Sequence, residues 1–355
     1  MSDKTNLDLA KLKADDEFYT SFADIVAELS HWTDKLRGKR IICPCDFLPA
    51  DSQSSITIEF NPKRFYINSV KTKLKSTYLP YVALFDDFTI DTVVRQKKEI
   101  SEQQLRNILV GQEVVNFVNY LWAIGESAGI KSITASGYNV KTGEGISFDE
   151  IDYSQYDLVI TNPPFSLYSA FIENITEKNP NIEVILIASF MNRVAPCIAI
   201  PLMERKFYLG YGRHLAMEFN NPTGGKGKKV AIDWIVSWPD AQNELDQLSQ
   251  KTGKKYDKLA YKEMPYMTMK DGTKPLKIKS VADIPDDYDG YMFTSVAVLD
   301  RLNQSRYDWI CTGCKRYFNK EHPELNPFAH PVSNEMIGYG TDDSCFHGIL
   351  FRRHK

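Results

Sequence analysis

The apolar run Leu158-Val159-Ile160-Thr161, led by Asp157 and stopped by Asn162-Pro163-Pro164-Phe165, constrains this chain more than any other segment. Successive apolar residues without polar alternation read as a strand buried on both faces, the kind found in parallel sheets covered by helices. The prolines end it. Neither has an amide N–H and both have fixed φ, so the turn is stiff and its carbonyls point outward. The turn also has a chemical reading. The Asn162 side-chain oxygen and the Pro163 carbonyl can each accept one N–H of an exocyclic amine on an aromatic ring, which aims the nitrogen lone pair at an electrophile. Phe165 offers a ring face on which a planar base can stack. Direct methylation of an amine, with no covalent intermediate, suits this arrangement; a plain strand-ending Asn-Pro turn is the alternative.

Strand–helix alternation surrounds the element. Arg40-Ile41-Ile42-Cys43 reads as a buried strand ended by Pro44-Cys45-Asp46, and Lys131–Ala135, Val184–Ala188 and Lys229–Ser237 read as further strands. Helical spacing covers Ser21–Leu36, Ser101–Ala128, Ser166–Lys178 and Cys197–Lys206, with Ser101 and Ser166 as caps. The pattern predicts the α/β class: a doubly wound, mostly parallel, Rossmann-like sheet. Ligands in such sheets bind at the carboxyl ends of the strands. Asp46 and Asn162 both fall at such ends, so one crevice can hold cofactor and substrate together. The runs Ile56-Thr57-Ile58, Phe65-Tyr66-Ile67 and Tyr81-Val82-Ala83-Leu84 predict a small β-rich insertion over about 47–113. Beyond Pro239 periodicity weakens and Lys, Tyr, Asp and Pro rise, which divides the chain into a domain over 1–239 and an appended α+β region over 240–355.

Composition adds exclusions. A chain of 355 residues, 43% hydrophobic and 25% charged, is ordinary for a globular protein with one large core or two smaller ones. A formal net charge of -3 excludes a basic particle coating nucleic acid, so any nucleic-acid contact needs a local basic face. Neither a membrane-length apolar run nor a secretory leader occurs, and six cysteines are too few and too uneven for a disulfide scaffold; a cytoplasmic enzyme is expected. Cys311, Cys314, Cys345 and His347 supply the ligand types of a structural zinc site, but Cys345-Phe346-His347 departs from the commoner Cys-x-x-Cys. Thiols buried as small hydrophobes are the preferred reading, and no metal is required. The loop Thr223–Lys229 reads as a phosphate contact or a flexible connection, and Arg64–Lys75 as an aromatic-cationic nucleic-acid face or a solvated strand. Phe219 reads as core or as a wall of a base pocket.

Several segments, in order along nearly the whole chain, resemble the EcoRI-type adenine-specific DNA methyltransferase family. They are Asp16-Glu17-Phe18-Tyr19-Thr20, Cys45-Asp46, Thr161 to Leu167, Asp283-Ile284-Pro285-Asp286-Asp287-Tyr288-Asp289-Gly290 and Ile349-Leu350-Phe351-Arg352-Arg353. The resemblance implies S-adenosylmethionine as methyl donor, duplex DNA as partner, adenine as acceptor, a restriction-modification setting and target recognition by 240–355. It implies that Phe18, Tyr19 and Thr20 close over the cofactor's methionine end and that Cys45 and Asp46 meet the cofactor. Asn162, Pro163, Pro164 and Phe165 match the catalytic element. Asp46 also has its own reading: a strand-end carboxylate accepts hydrogen bonds from an ammonium or ribose, or else is a solvated turn residue. On either reading it lies outside the core, so replacing it should spare folding. The chain departs from the usual pattern in lacking Gly-x-Gly after Cys45, in placing Asp149 after Phe148 as the acid for the cofactor's adenine, and in the 47–113 segment. An RNA or protein-glutamine amino-methyltransferase, or a catalytically dead nucleic-acid-binding module of the same fold, remains an alternative.

Overall fold

A computed structural model describes residues 20–48, 53–73, 92–110, 112, 115–139, 144–219, 228–249, 251–314, 317–321, 323–333 and 345–354. The chain divides into two compact units, Met1–Val184 with Glu218–Lys228, and Ile185–Met217 with Lys229–Lys355.

The first unit holds α1 (Phe22–Leu29), β1 (Arg40–Cys43), β2 (Gln53–Glu59), β3 (Arg64–Lys73), β4 (Thr92–Ile100), α2 (Glu102–Leu109) and α3 (Asn116–Ala128). β5 (Ser132–Ser136), the short pair β6 (Tyr138–Asn139) and β7 (Glu144–Gly145), β8 (Leu158–Thr161) and α4 (Tyr168–Lys178) follow. β1 lies between β5 and β8 and is parallel to both. Ile41, Ile42 and Cys43 are buried, as are all four residues of β8, as expected of strands covered on both faces. Ser21 caps α1 by accepting the Asp24 amide. A 3₁₀ stretch, Ser30–Leu36, continues it. The single helix predicted over Ser101–Ala128 is two helices: a Ser101–Gln104 capping box opens α2, and Gly129 in the left-handed region ends α3. Ser166 does not cap the next helix. A 3₁₀ turn, Phe165–Leu167, precedes α4 and Leu167 takes the cap position, because the Leu167 amide closes that turn on the Pro164 carbonyl.

The β-rich segment is no separate module. β2, β3 and β4 form an antiparallel run, and β2 pairs antiparallel with β5, extending the sheet. β5 would otherwise offer an open edge, and Ile56 and Ile58 bury their side chains in closing it. The Tyr81–Leu84 run lies outside the described residues.

Next along the chain, β9 (Glu183–Ser189) is followed by α5 (Pro196–Met203), β10 (Tyr208–Leu209), β11 (Leu215–Phe219), β12 (Lys228–Val236) and α6 (Asp240–Leu248). β12 runs antiparallel to both β9 and β10, so the large sheet is mixed rather than mostly parallel. A continuous apolar run reports burial on both faces and says nothing of direction. A second sheet takes the order β13 (Leu276–Lys277), β14 (Met292–Ser295), β16 (Cys345–Arg353), β15 (Tyr307–Cys314). Ile349, Leu350 and Phe351 of β16 are fully buried. Arg193, also buried, is held by Asp233 at 2.6 and 2.5 Å and by Asp300 at 2.6 Å, which offsets the cost of desolvating its charge. Among the described residues, no helix is long and apolar enough to cross a membrane.

Candidate active site

The carboxyl ends of β1 and β8 are neighbours because the two strands are parallel, with Ile41 opposite Leu158 and Ile42 opposite Val159. One leads into Pro44-Cys45-Asp46 and the other into Asn162-Pro163-Pro164-Phe165. Thr161 joins them: its hydroxyl donates to Asp46 Oδ2 at 2.6 Å, and the next residue is Asn162. Asp46 is only 3% exposed. Burial pushes its carboxyl up to about 8, against the opposing pull of the Thr161 hydrogen bond. Asp46 is therefore no solvated turn residue, and the expectation that replacing it spares folding is corrected. Removing its oxygen strands the Thr161 hydroxyl in a buried place.

Asn162 is half-buried, Pro163 buried, and Pro164 and Phe165 half-buried. The Pro164 carbonyl is engaged by the Leu167 amide at 3.0 Å, whereas the Pro163 carbonyl accepts no backbone hydrogen bond among the described residues. This difference leaves Pro163, not Pro164, as the carbonyl able to meet an incoming donor.

The end of β5 completes the cradle. The Ser136 carbonyl accepts the Asp46 amide at 3.1 Å. At Gly137, a Cβ would stand 2.1 Å from the Phe47 carbonyl oxygen, so only glycine lets the loops after β1 and β5 pass. Gly137→Ala should destabilise the protein by at least about 1 kcal/mol, since rigid backbone must move; thermal denaturation of the variant checks this. Two hydroxyls, Ser136 Oγ and Tyr153 Oη, are buried with no hydrogen-bond partner among the described residues. Burial, and then the nearby Cys45 and Asp149, push the Tyr153 hydroxyl far above its usual range. Buried polar groups are normally satisfied, so these two unused hydroxyls, one on the residue whose carbonyl holds the Asp46 amide and one close to Cys45, suit a ligand with its own hydroxyls. Sequence reasoning missed Ser136, Gly137 and Tyr153. A Ser-Gly pair directly after a strand was the available signal for the first two.

Cys45 is half-buried beside Asp46. Thr20 is buried at the entry to α1, its carbonyl accepting the Asn116 side chain at 2.8 Å. Phe18 and Tyr19 lie outside the described residues. Asp149 is exposed in the 3₁₀ turn Phe148–Glu150, while Phe148 packs edge-on against Phe171 at 5.4 Å. The aromatics of the Arg64–Lys75 segment are no open stacking platform: Phe65 and Tyr66 are buried, and Lys97 covers the Tyr66 ring at 3.8 Å. Residues 220–227 and the Phe219 side chain lie outside the described residues. Cys311 packs among Met267, Met269, Phe318 and Phe328, and burial raises its thiol pKa. Cys314 and Cys345 are partners across β15 and β16, but their side chains, and that of His347, lie outside the described residues.

A mixed α/β sheet that sets a strand-end Asn-Pro-Pro-Phe beside a buried carboxyl has the chemistry of an amino-methyltransferase. The comparison of sequences is specific: the chain belongs to the EcoRI family of adenine-specific methyltransferases, whose profile matches residues 6–337. It is similar to the type II methyltransferase M.EcoRI of Escherichia coli, 20% identical over 320 residues that cover 85% of this chain and 87% of that one. It is also similar to the type II methyltransferase M.MpnI of Mycoplasma pneumoniae, 22% identical over 327 residues, 85% of this chain and 83% of the relative. No solved structure matches the chain.

Proposed function

We propose that this methyltransferase moves the methyl group of S-adenosylmethionine to the exocyclic amine of an adenine flipped out of duplex DNA, as the modifying half of a restriction-modification pair in the cytoplasm. The observation that carries the reading is the adjacency of Asn162-Pro163-Pro164-Phe165 to buried Asp46 through Thr161. When bound, S-adenosylmethionine supplies a methyl group already activated by its positive sulfur. Asp46, Ser136 and Tyr153 would hold the cofactor's ammonium and hydroxyls. Thr20 and Cys45, with Phe18 and Tyr19, would close over it, and Asp149 would meet its adenine. Asn162 Oδ1 and the Pro163 carbonyl accept the two amine hydrogens, and Phe165 stacks on the base, which must leave the duplex to reach them. Residues 240–355 would read the target sequence.

Methylation-sensitive sequencing of DNA from a methylation-free host expressing the chain tests this reading. Methyladenine in one short motif, absent with Asn162→Ala, is the expected result. Methyl transfer to RNA or protein instead, with host DNA unmodified, would exclude DNA as substrate while leaving the fold untouched.

A further inference from the structure

The lysine-rich stretch 251–279 is a second charged feature, and the chemistry at β1 and β8 does not use it. It carries nine lysines against Asp257, Glu263 and Asp271, six net positive charges in a chain whose formal charge is -3. All nine lysines are exposed. We propose that the hairpin Tyr261–Lys279, with the loop leading into it, is the surface that takes the phosphate backbone of duplex DNA. The proposal rests on the reading that duplex DNA is the substrate.

The geometry is that of a short antiparallel ribbon. Glu263 bridges Leu276, the Met264 amide donates to Pro275 at 2.7 Å, and the Lys277 amide donates to Lys262 at 2.7 Å. This register sets Lys262 opposite Lys277. Like charges facing across an antiparallel pair are unfavourable alone, and an anion between them removes the penalty. The tip closes through the Gly272 amide to Met269 at 2.9 Å, with Gly272 at φ 82, and it brings Lys270 and Lys274 to the same end. Because strand residues alternate, Lys277 and Lys279 stand on the outer side while Leu276 and Ile278 are buried inward. Between the two lysine pairs, Tyr266 is 63% exposed and offers a ring to sugar or base.

The hairpin is seated firmly enough to hold that charge in place. Met267 and Met269 are buried in the cluster with Phe318, Phe328 and Leu350. The Lys270 amide donates to Pro327 at 3.1 Å, and the Ala329 amide to Thr268 at 2.8 Å. The acidic run Asp283–Asp289 anchors the preceding loop. Asp286 accepts the Gly253 amide at 2.7 Å, Asp287 the Tyr256 amide at 2.6 Å, and Asp283 pairs with Lys254 at 2.6 Å. Asp271 accepts the Thr273 amide and hydroxyl within its own turn. Lys255, Lys258, Lys262, Lys270, Lys274 and Lys277 make no ion pair among the described residues. A two-stranded ribbon edged with lysines that make no ion pair among the described residues matches the shape of a DNA groove and the charge of its flanking phosphates.

The test replaces Lys262, Lys270, Lys274 and Lys277 together by Gln in the full chain and measures affinity for a duplex across salt concentrations. Each lost phosphate contact lowers the magnitude of the slope of log affinity against log salt by about 0.9, so the loss of four contacts should lower it by about 3.6. Affinity for S-adenosylmethionine should stay within two-fold, and four Lys→Arg replacements should keep the wild-type slope. A wild-type slope in the Gln variant, beside normal DNA binding by the parent, would overturn the assignment of this surface alone. A parent that binds no duplex at all would overturn the surface and the DNA reading together. Tighter binding to single-stranded RNA than to duplex, lost in the Gln variant, would overturn the choice of duplex DNA.

Discussion

Asn162→Ala is expected to abolish methyl transfer while leaving affinity for S-adenosylmethionine within a few-fold. The side-chain oxygen holds one amine hydrogen of the acceptor in the proposed mechanism, and nothing in alanine replaces it. The Pro163 carbonyl alone fixes only the second hydrogen, so the lone pair is no longer aimed at the methyl group, and loss of such positioning costs a hundred-fold or more on the order of magnitude. Asn162 is half-buried at a strand end, so the variant should fold. Single-turnover transfer of labelled methyl groups to duplex DNA, with cofactor binding followed by calorimetry, separates the two effects. Turnover at the wild-type rate would remove Asn162 from the chemistry.

Asp46→Asn should weaken S-adenosylmethionine binding by about ten- to a hundred-fold above pH 8, the scale of one lost charge-assisted hydrogen bond. The pH dependence is the sharper result. Burial raises the carboxyl from 3.8 to about 8, so the empty protein holds Asp46 mostly protonated at neutral pH. A cationic ligand favours the ionised form. Binding should therefore release a proton, and wild-type affinity should rise by up to about ten-fold per pH unit between 6 and 8, then level off. The asparagine variant should show a flat profile. Stability moves the other way. A folded-state pKa above the unfolded one means that stability is fully present below about pH 4 and is lost as pH rises through about 8. Asp46→Asn should escape that loss and melt above the wild type at pH 9, since the amide oxygen can still accept the Thr161 hydroxyl. Equal affinities and parallel pH profiles for the two proteins would take Asp46 out of the cofactor site.

The strand Leu158–Thr161 and its Asn-Pro-Pro-Phe exit were legible in the sequence because their cause is local. Continuous apolar residues demand burial on both faces, and proline removes a donor wherever it stands. The ends of β1 were legible for the same reason, as was the capping box at Ser101. Tertiary structure decided the rest. The antiparallel direction of β12 was not legible, because apolar patterning carries no direction. The segment before Ser101 extends the sheet because the edge of β5 had to be covered, a demand set by a strand far along the chain. Phe65 and Tyr66 look like stacking residues in the sequence and are buried in the fold. Asp46 shows the difference most plainly. The sequence placed a carboxyl at a strand end. Only the fold around it shut out water and set Thr161 2.6 Å away, and desolvation outweighs the opposing pull of that hydrogen bond to raise the carboxyl's pKa, because both effects come from residues that meet only in space.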